Sequence, residues 1–215
     1  MKLAIFDLDD TLIDGDCASL WCNYLLRKRV LDDEYLEEEA RMMALYRQGQ
    51  LDMQDYMRLF LRPLQKKRTK EVSLWIDDFL QQDILHRVRS EAVKYINRHQ
   101  ANGDQILIIS ASADFLVRPI ARLMGINHIL AINCHSHKGR FSGETVGVLS
   151  YREGKITRLK QWLKEQTIQP RSSCFYSDSA NDLPLLDWVD DAFVVSPEAR
   201  LATIAQERQW PILQW

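Results

Sequence analysis

Five short apolar segments of this chain each end abruptly in polar residues, and helical patterns separate them. The segments are 3–6, 105–110, 129–134, 173–178 and 192–196. Apolar runs of this length without a turn residue are typical of strands that are buried on both faces. Strands that alternate with helices predict right-handed βαβ units, in which helices cover both faces of a parallel sheet. The expected fold class is therefore α/β with a doubly wound parallel sheet.

The segments that connect these strands carry apolar residues at helical spacing. Helices are predicted over 84–100 and 114–125, after Gly154, over 184–189, and from Pro197 to about residue 209. Glycines between 135 and 151 punctuate short alternating pieces and predict a hairpin. A last short strand is expected at 210–213.

Residues 15–82 differ from the rest because they show no convincing strand-like alternation. Helical spacing begins near Leu20, continues from 32 to 64 with a break at Gly49, and returns at 69–80. An all-helical block between one strand and the next βα unit predicts an inserted domain. We therefore expect a core made of 1–14 and 83–215, with a helical cap at 15–82, which we call the helical insert.

Composition gives no reason to expect nucleic acid or a membrane as the partner. The 215 residues carry a formal net charge of −2, so the balance does not favour nucleic acid or an anionic membrane surface. No segment approaches the ~18 consecutive apolar residues of a membrane span. The chain enters its first strand at once, which leaves no room for a signal peptide, so a cytoplasmic location is expected. Oligomeric state stays open.

The four cysteines are expected to be reduced, and a metal role for them is disfavoured. No close C-x-x-C pair is present, and buried cysteines are commonly small hydrophobes. Cys134-His135-Ser136-His137 resembles a metal cluster at first, but strand alternation puts Cys134 on the face opposite the two histidines.

Polar residues stand at the end of three predicted strands and at the start of one helix. They are Asp7 with Asp9, Ser110, Lys155, and Asp178 with Asp182. Each has an ordinary structural explanation: a helix cap for Ser110, a surface site for Lys155, and an acidic turn for the aspartates, with Asp10 or Asp14 as a helix cap. The carboxyl ends of parallel strands nevertheless meet at the ligand-binding edge of such a sheet.

The order of these residues resembles the four motifs of the haloacid dehalogenase-like superfamily. Asp7, Asp9 and Thr11 match D-x-D-x-T after a hydrophobic strand, and Ser110 and Lys155 match the second and third motifs. Residues 176–186, with sequence YSDSANDLPLL, are close to the fourth motif of the phosphoserine phosphatase-like branch. That branch also carries a helical cap between its first two motifs, so the resemblance covers essentially the whole chain.

The resemblance implies a Mg²⁺ cofactor, since a hard cation can draw a phosphate dianion toward a carboxylate nucleophile. Asp7 and Asp178 would bind the ion through their side chains and Asp9 through its backbone carbonyl. Asp182 is also implied at the metal site, but it would not bind the ion directly. It would orient a metal-bound water or Lys155.

The same resemblance assigns the reacting groups. Asp7 would attack phosphorus, while Asp9 would protonate the leaving alkoxide and then take a proton from the attacking water. Ser110, the backbone N–H at Ala111 and Lys155 would stabilise charge on the phosphate oxygens. Lys155 is preferred to Lys160 because it stands at a helix start after Gly154.

Other substrate contacts are less defined. Asn181 would position phosphate or Asp182, although a turn-forming role competes closely. In the helical insert, Asp16 is a candidate for the polar end of the substrate, with Arg58 and Arg62 as weaker ones. The basic run 66–70 more often indicates a solvated loop than an anion site.

The implied activity is hydrolysis of a small phosphomonoester, such as phosphoserine, histidinol phosphate or a lipid phosphate headgroup. A phosphotransferase would form the same aspartyl-phosphate and pass it to an alcohol. A receiver-type signalling module also uses an acidic pocket with a Lys, but it needs neither a second proton-transfer acid nor a helical cap. Asp9 and the helical insert therefore favour an enzyme.

Overall fold

The computed structural model describes residues 1–167 and 169–215, and these residues form seven β-strands and nine α-helices. The strands are β1 Lys2–Phe6, β2 Gln105–Ala113, β3 Ile129–His137, β4 Arg140–Val146, β5 Ser172–Ser177, β6 Asp191–Val195 and β7 Ile212–Leu213. The helices are α1 Cys17–Arg27, α2 Asp33–Arg47, α3 Met53–Leu61, α4 Thr69–Phe79, α5 Ser90–Ala101, α6 Asp114–Leu123, α7 Glu153–Glu165, α8 Leu183–Trp188 and α9 Ala199–Glu207.

The strands form one sheet in the order β4-β3-β2-β1-β5-β6-β7, and only the β3–β4 pair is antiparallel. The α/β class with a doubly wound, mostly parallel sheet is thus confirmed. The hairpin expected between 135 and 151 is present, but its first arm is the continuation of β3 and not a separate strand.

Strand β1 lies at the centre of the sheet, between β2 and β5, and its last four residues are fully buried. Ala4 and Phe6 pack into one apolar cluster, whereas Leu3 and Ile5 pack into the cluster on the opposite face. Successive side chains of a strand point to opposite faces, so an unbroken apolar run suits a strand covered on both sides. Its carboxyl end consequently opens at the middle of the ligand-binding edge.

All elements that the structure describes between residues 15 and 87 are helical. Besides α1 to α4, they are 3₁₀ turns at Arg62–Leu64 and Leu85–Arg87 and a π-helical turn at Leu80–Ile84. Asp16, Asp32 and Asp52 each accept a backbone N–H at the start of α1, α2 and α3. Such caps satisfy N–H groups that have no partner within the helix, which explains why the helices begin at these residues.

The two ends of the helical insert leave the sheet side by side. Ile13 and Val88 form an antiparallel bridge. On either side of it, the Asp14 N–H donates to the Arg87 carbonyl at 2.8 Å and the Arg89 N–H donates to the Leu12 carbonyl at 3.0 Å. We call these paired segments, 12–14 and 87–89, the hinge.

A second contact joins the helical insert to the β3–β4 hairpin. The Lys66 N–H donates to the Phe141 carbonyl at 2.8 Å, and the Phe141 N–H donates to the Lys67 carbonyl at 3.1 Å. The Thr69 N–H donates to the Gly139 carbonyl at 2.9 Å. The backbone of the basic run 66–70 is therefore hydrogen-bonded to the hairpin. The sequence pattern, which favours a solvated loop, does not predict this contact.

Two predicted helix starts were wrong. The helix expected over 84–100 begins at Ser90, because residues 87–89 pair with residues 12–14 in the hinge. The last helix begins at Ala199 and not at Pro197. None of the helices in the described part of the chain is long and apolar enough to cross a membrane.

Candidate active site

The site begins where β1 ends. Asp7 is buried, and its N–H donates to the Tyr176 carbonyl at 2.9 Å, which extends the β1–β5 pairing by one residue. Asp10 then adopts a positive φ of 52°, and its carboxylate accepts the Gly15 N–H at 3.0 Å. This closed turn holds Asp7 and Asp9 at the sheet edge. Asp16, rather than Asp10 or Asp14, caps the following helix.

Lys155 joins two of the predicted acids. Its side chain is 2% exposed, and Nζ lies 2.8 Å from Asp7 Oδ1 and 2.7 Å from Asp182 Oδ2. The Ser177 hydroxyl also donates to Asp182, at 2.7 Å. Burial alone would lower the pKa of Lys155, but the Asp182 and Asp7 carboxylates outweigh it and raise that pKa. The ammonium form is thus maintained at the centre of the site.

The start of α7 is built to bring Lys155 inward. A Cβ on Gly154 would lie 2.0 Å from the Leu149 carbonyl oxygen, so only glycine allows this approach. Lys160 is exposed on the outer side of α7, over the Trp188 ring. The structure therefore brings Lys155 into the site and leaves Lys160 outside it.

Asp9 is surrounded by hydrogen-bond donors. Oδ1 accepts the Cys17 N–H at 2.7 Å, and Oδ2 accepts the Ser110 hydroxyl at 3.2 Å and the Ser112 hydroxyl at 2.8 Å. Ser110 and Ser112 are two residues apart in β2, so both side chains lie on the face that meets Asp9. The β2–β3 register shifts beside them, between Ile109 and Ala113. Serine hydroxyls donate and accept, so the arrangement suits Asp9 with or without a proton.

Asp178 has no cationic partner within 4 Å among the residues that the structure describes. Its Oδ1 accepts the Thr11 hydroxyl at 3.0 Å, and its N–H donates to the same hydroxyl oxygen at 3.1 Å. Burial raises the pKa of Asp178, and repulsion from the Asp7, Asp10 and Asp182 carboxylates raises it further. The site thus holds more negative charge than Lys155 can compensate.

This surplus of carboxylate oxygens fits a hard divalent cation. No three His, Cys, Asp or Glu side chains of the described residues meet as a complete ligand cluster. Mg²⁺ does not need one, because it keeps several waters and is commonly bound by one or two carboxylates together with substrate oxygens. Asp7 and Asp178 supply such a pair.

A cavity of about 360 Å³ lies between these acids and the helical insert. Its core side includes Asp7, Asp9, Asp178, Ala111 and Ser112, and its insert side includes Asp16, Ser19, Met43, Tyr46, Arg47, Leu51, Met53 and Tyr56. The volume suits a small molecule with an apolar body and polar ends. Arg58 and Arg62 do not line it; they pair on the surface with Asp55 and Glu38.

Asn181 is turned away from the acids and toward the helical insert. Its side-chain amide donates to the Tyr46 carbonyl at 3.0 Å, and its Oδ1 accepts the Tyr151 hydroxyl at 3.1 Å. Its side chain thus joins core and insert in this structure, while the expected contact with phosphate or Asp182 stays a prediction.

Several site residues were not identified from the sequence. Ser112 lies within the Ser-Ala-Ser segment near the end of β2, and spacing by two would have paired it with Ser110. Glu39 is buried within a Glu-rich helix and accepts the Ser19 hydroxyl at 2.7 Å, which nothing in that run distinguishes. Arg47 and Arg152 lie at the site only because the helical insert packs against the core there. No local sequence pattern encodes that packing.

Comparisons with known proteins agree with this geometry. The family model described as haloacid dehalogenase-like hydrolase matches residues 4–187. A histidinol-phosphatase of Neisseria meningitidis serogroup C (strain 8013) is 36% identical, over 100% of this chain and 99% of its own length. A phosphoserine phosphatase of Lactococcus lactis subsp. lactis (strain IL1403) is 26% identical over 93% of this chain and 87% of its own.

Solved structures show the same architecture. A protein of unknown function from Bordetella pertussis Tohama I has a TM-score of 0.92 at 33% identity, covering 99% of this chain and 97% of that one. A phospho-aspartyl intermediate analogue of phosphoserine phosphatase has a TM-score of 0.72 at 18% identity, covering 99% and 92%. At that identity the second likeness supports the fold alone.

Proposed function

Because the chain belongs to the haloacid dehalogenase-like hydrolase family, we propose that it is a Mg²⁺-dependent phosphatase of small phosphomonoesters. The observation that carries this proposal is the buried Asp7–Lys155–Asp182 network beside Asp9, which opens into a cavity at the end of the central strand. The insert would serve as the cap of that cavity, with the core formed by 1–14 and 83–215.

In the first half-reaction, an Asp7 oxygen attacks phosphorus and the bond from phosphorus to the leaving oxygen breaks. Asp9 gives its proton to that oxygen, so the leaving group departs as an alcohol. Lys155 holds the Asp7 carboxylate in place and, with the Ser110 hydroxyl and the Ala111 N–H, stabilises charge on the phosphate oxygens. Mg²⁺, held by Asp7, Asp178 and the Asp9 carbonyl, would neutralise the repulsion between nucleophile and phosphate.

In the second half-reaction, water attacks the aspartyl-phosphate. Asp9 takes a proton from the water, the bond between phosphorus and the Asp7 oxygen breaks, and inorganic phosphate leaves. Asp182 takes no part in bond changes; by binding Lys155 and Ser177 it would fix the position of the ammonium group.

For the substrate, we propose a phosphate ester whose leaving group carries a protonated nitrogen. Asp16 lines the insert side of the cavity. Burial raises its pKa, and repulsion from the Asp9 carboxylate and then from Glu39, buried behind Ser19, raises it further, so a cation beside Asp16 would relieve that repulsion. Histidinol phosphate is the first compound to test, because the relative that matches this chain over its full length at 36% identity is a histidinol-phosphatase. Phosphoserine is the second. We place the activity in the cytoplasm, with which the four free cysteines of the described chain agree.

The test is release of inorganic phosphate from phenyl phosphate with Mg²⁺, by the wild type and by the Asp7→Asn and Asp9→Asn variants. Asp7→Asn should lower kcat by about 10³-fold or more without loss of folding. Asp9→Asn should lose most activity toward poor leaving groups and less toward good ones. Wild-type rates in either variant would refute these roles, and a single stoichiometric burst by the wild type would indicate a phospho-accepting switch instead.

A further inference from the structure

Three core side chains hold one loop of the helical insert. The loop, residues 48–52, connects α2 to α3, and we call it the α2–α3 loop. Arg152 Nη2 donates to the Gly49 carbonyl, and the Asn181 amide donates to the Tyr46 carbonyl in the last turn of α2 at 3.0 Å. Tyr151 and Arg152 both donate to Asn181 Oδ1, at 3.1 and 3.4 Å. These contacts form one connected network, which we call the latch.

The latch is fitted to a glycine. Gly49 has a φ of +68°, and a Cβ built on it would lie 3.0 Å from Arg152 Nη2. Gly103 has nearly the same φ, +71°, but a Cβ there would meet nothing within 4 Å. Any side chain is strained at both positions, yet only at Gly49 would it also press against the latch.

The core side of the latch lies on the two segments that carry the catalytic network. Arg152 has a φ of 51°, unusual for a residue other than glycine, and its carbonyl accepts the Lys155 N–H at 3.0 Å. Asn181 directly precedes Asp182. The segments that place Lys155 and Asp182 therefore also hold the α2–α3 loop.

The insert side of the latch borders the cavity. Tyr46, Arg47, Leu51 and Met53, within or next to the α2–α3 loop, line the wall that faces the acids. At the hinge and at the β3–β4 hairpin, backbone hydrogen bonds join the insert to the core, and side chains such as Arg140, which donates to the Lys66 carbonyl, only add to them. The latch is instead made by side chains, which can release without breaking a strand pair.

We propose that Arg152 is a positioning residue, which latches the α2–α3 loop so that the apolar cavity wall stays against the leaving group. This role rests on the proposed phosphatase function, but the latch itself can be observed without turnover. Arg152 does not line the cavity, so it is not assigned a contact with phosphate.

The experiment compares wild type with Arg152→Ala, Arg152→Lys and Gly49→Ala, with Arg200→Ala and Gly103→Ala as controls. Arg200 reaches the same side of Gly49, yet in the described structure the side-chain hydrogen bond to the Gly49 carbonyl comes from Arg152. Amide hydrogen exchange of 46–53 is measured without substrate, and kcat, KM and the inhibition constant of inorganic phosphate are measured with phenyl phosphate.

Arg152→Ala and Gly49→Ala should speed exchange of 46–53 and raise KM by about fivefold, the effect of one net hydrogen bond, with little change in kcat. Arg152→Lys should recover part of both effects, the two control variants should match the wild type, and the phosphate inhibition constant should stay unchanged.

Three results would overturn the proposal. Unchanged exchange would mean that no latch exists, and faster exchange with unchanged KM would mean that the latch does not position the wall. An equal rise in KM and in the phosphate inhibition constant would make Arg152 a phosphate ligand. Should the wild type hydrolyse no phosphate ester, the phosphatase proposal fails, whereas the exchange result still decides whether the latch exists.

Discussion

At the scale of single residues, the proposed acid–base group depends on its neighbours for orientation. Asp9 is held by a backbone N–H and two serine hydroxyls, and the shorter of the two serine contacts is that of Ser112. The motifs made Asp7, Asp9, Ser110, Lys155 and Asp178 candidates because these residues stand at strand ends or a helix start, and the structure places all five at one edge of the sheet. Ser112 was missed because only Ser110 was matched to a motif, although spacing by two within β2 places both side chains on one face.

Ser112→Ala should lower kcat by about tenfold, since Asp9 would lose one net hydrogen bond that fixes its position. The loss should be larger for phenyl phosphate than for p-nitrophenyl phosphate, which needs less help from an acid. Steady-state rates with both esters measure this, and Ser136→Ala, at an exposed serine of β3, serves as the control. Equal losses with the two esters would separate Ser112 from the proton-transfer step.

Lys155→Met should destabilise the protein by about 3–5 kcal/mol near neutral pH, because it leaves two buried carboxylates without their cation. Burial raises the pKa of Asp7 to about 8 even with Lys155 in place, and the lysine opposes that rise. Without Lys155 the pKa of Asp7 is higher still, so the deficit should grow as pH rises through about 8. Urea unfolding at several pH values measures the effect. Lys160→Met, on the exposed side of the same helix, should leave stability unchanged; a comparable loss there would point to α7 and not to the ion network.

At the scale of elements, helical periodicity gave the existence of most helices but not where the chain leaves them. The segment from Leu80 to Arg87 keeps helical character as a π turn and a 3₁₀ turn, so its apolar spacing continues toward α5. What ends it is the pairing of 87–89 with 12–14, a contact between residues far apart in sequence. No local pattern encodes such a contact, and the predicted helix over 84–100 therefore began too early.

Arg89 connects the hinge to the end of the sheet. Its guanidinium donates to the Ile13 carbonyl at 3.4 Å, pairs with Asp14 at 3.1 Å, and donates to the Trp215 carbonyl. Arg89→Ala should lower stability by about 1–3 kcal/mol, the range for hydrogen bonds that involve a charged group. Thermal unfolding measures this, with Arg58→Ala as a surface control of the same residue type. An unchanged melting temperature would show that the backbone pairing alone maintains the hinge.

At the scale of the whole molecule, the fold was predictable because five strand-like runs alternate with helices, and such alternation leaves few possible topologies. The antiparallel β3–β4 pair at the edge of the sheet and the packing of the insert on the core were not predictable, because both depend on contacts between residues far apart in sequence. Acids from distant parts of the chain, Asp7, Asp10, Asp178 and Asp182, accumulate at one edge of the sheet. That concentration of charge should govern how the stability of the molecule responds to pH and to metal.

The pKa of Asp178 is raised from its ordinary value of 3.8 in the folded protein, so the unfolded chain loses that proton at lower pH than the folded one. Stability without metal should then fall as pH rises above about 4. Asp178→Asn should weaken this fall, because it removes the buried charge while keeping an oxygen acceptor for Thr11. Differential scanning calorimetry with a chelator, at about pH 5 to 8, tests the slope.

Mg²⁺ should raise the melting temperature of the wild type and raise it less in Asp178→Asn, since one proposed ligand carboxylate is lost. A variant at an exposed acid, Asp187→Asn, should respond to the metal like the wild type. Equal responses of Asp178→Asn and the wild type would remove Asp178 from the metal site.

The hinge has a consequence for how such proteins diversify. Since Ile13 and Val88 lie opposite each other, the segment between them leaves the sheet and returns to it at the same place. Evolution can lengthen, substitute or exchange that segment as a unit while the strands of the core keep their spacing. Substrate specificity can therefore change through the insert while the catalytic residues on the strands stay the same.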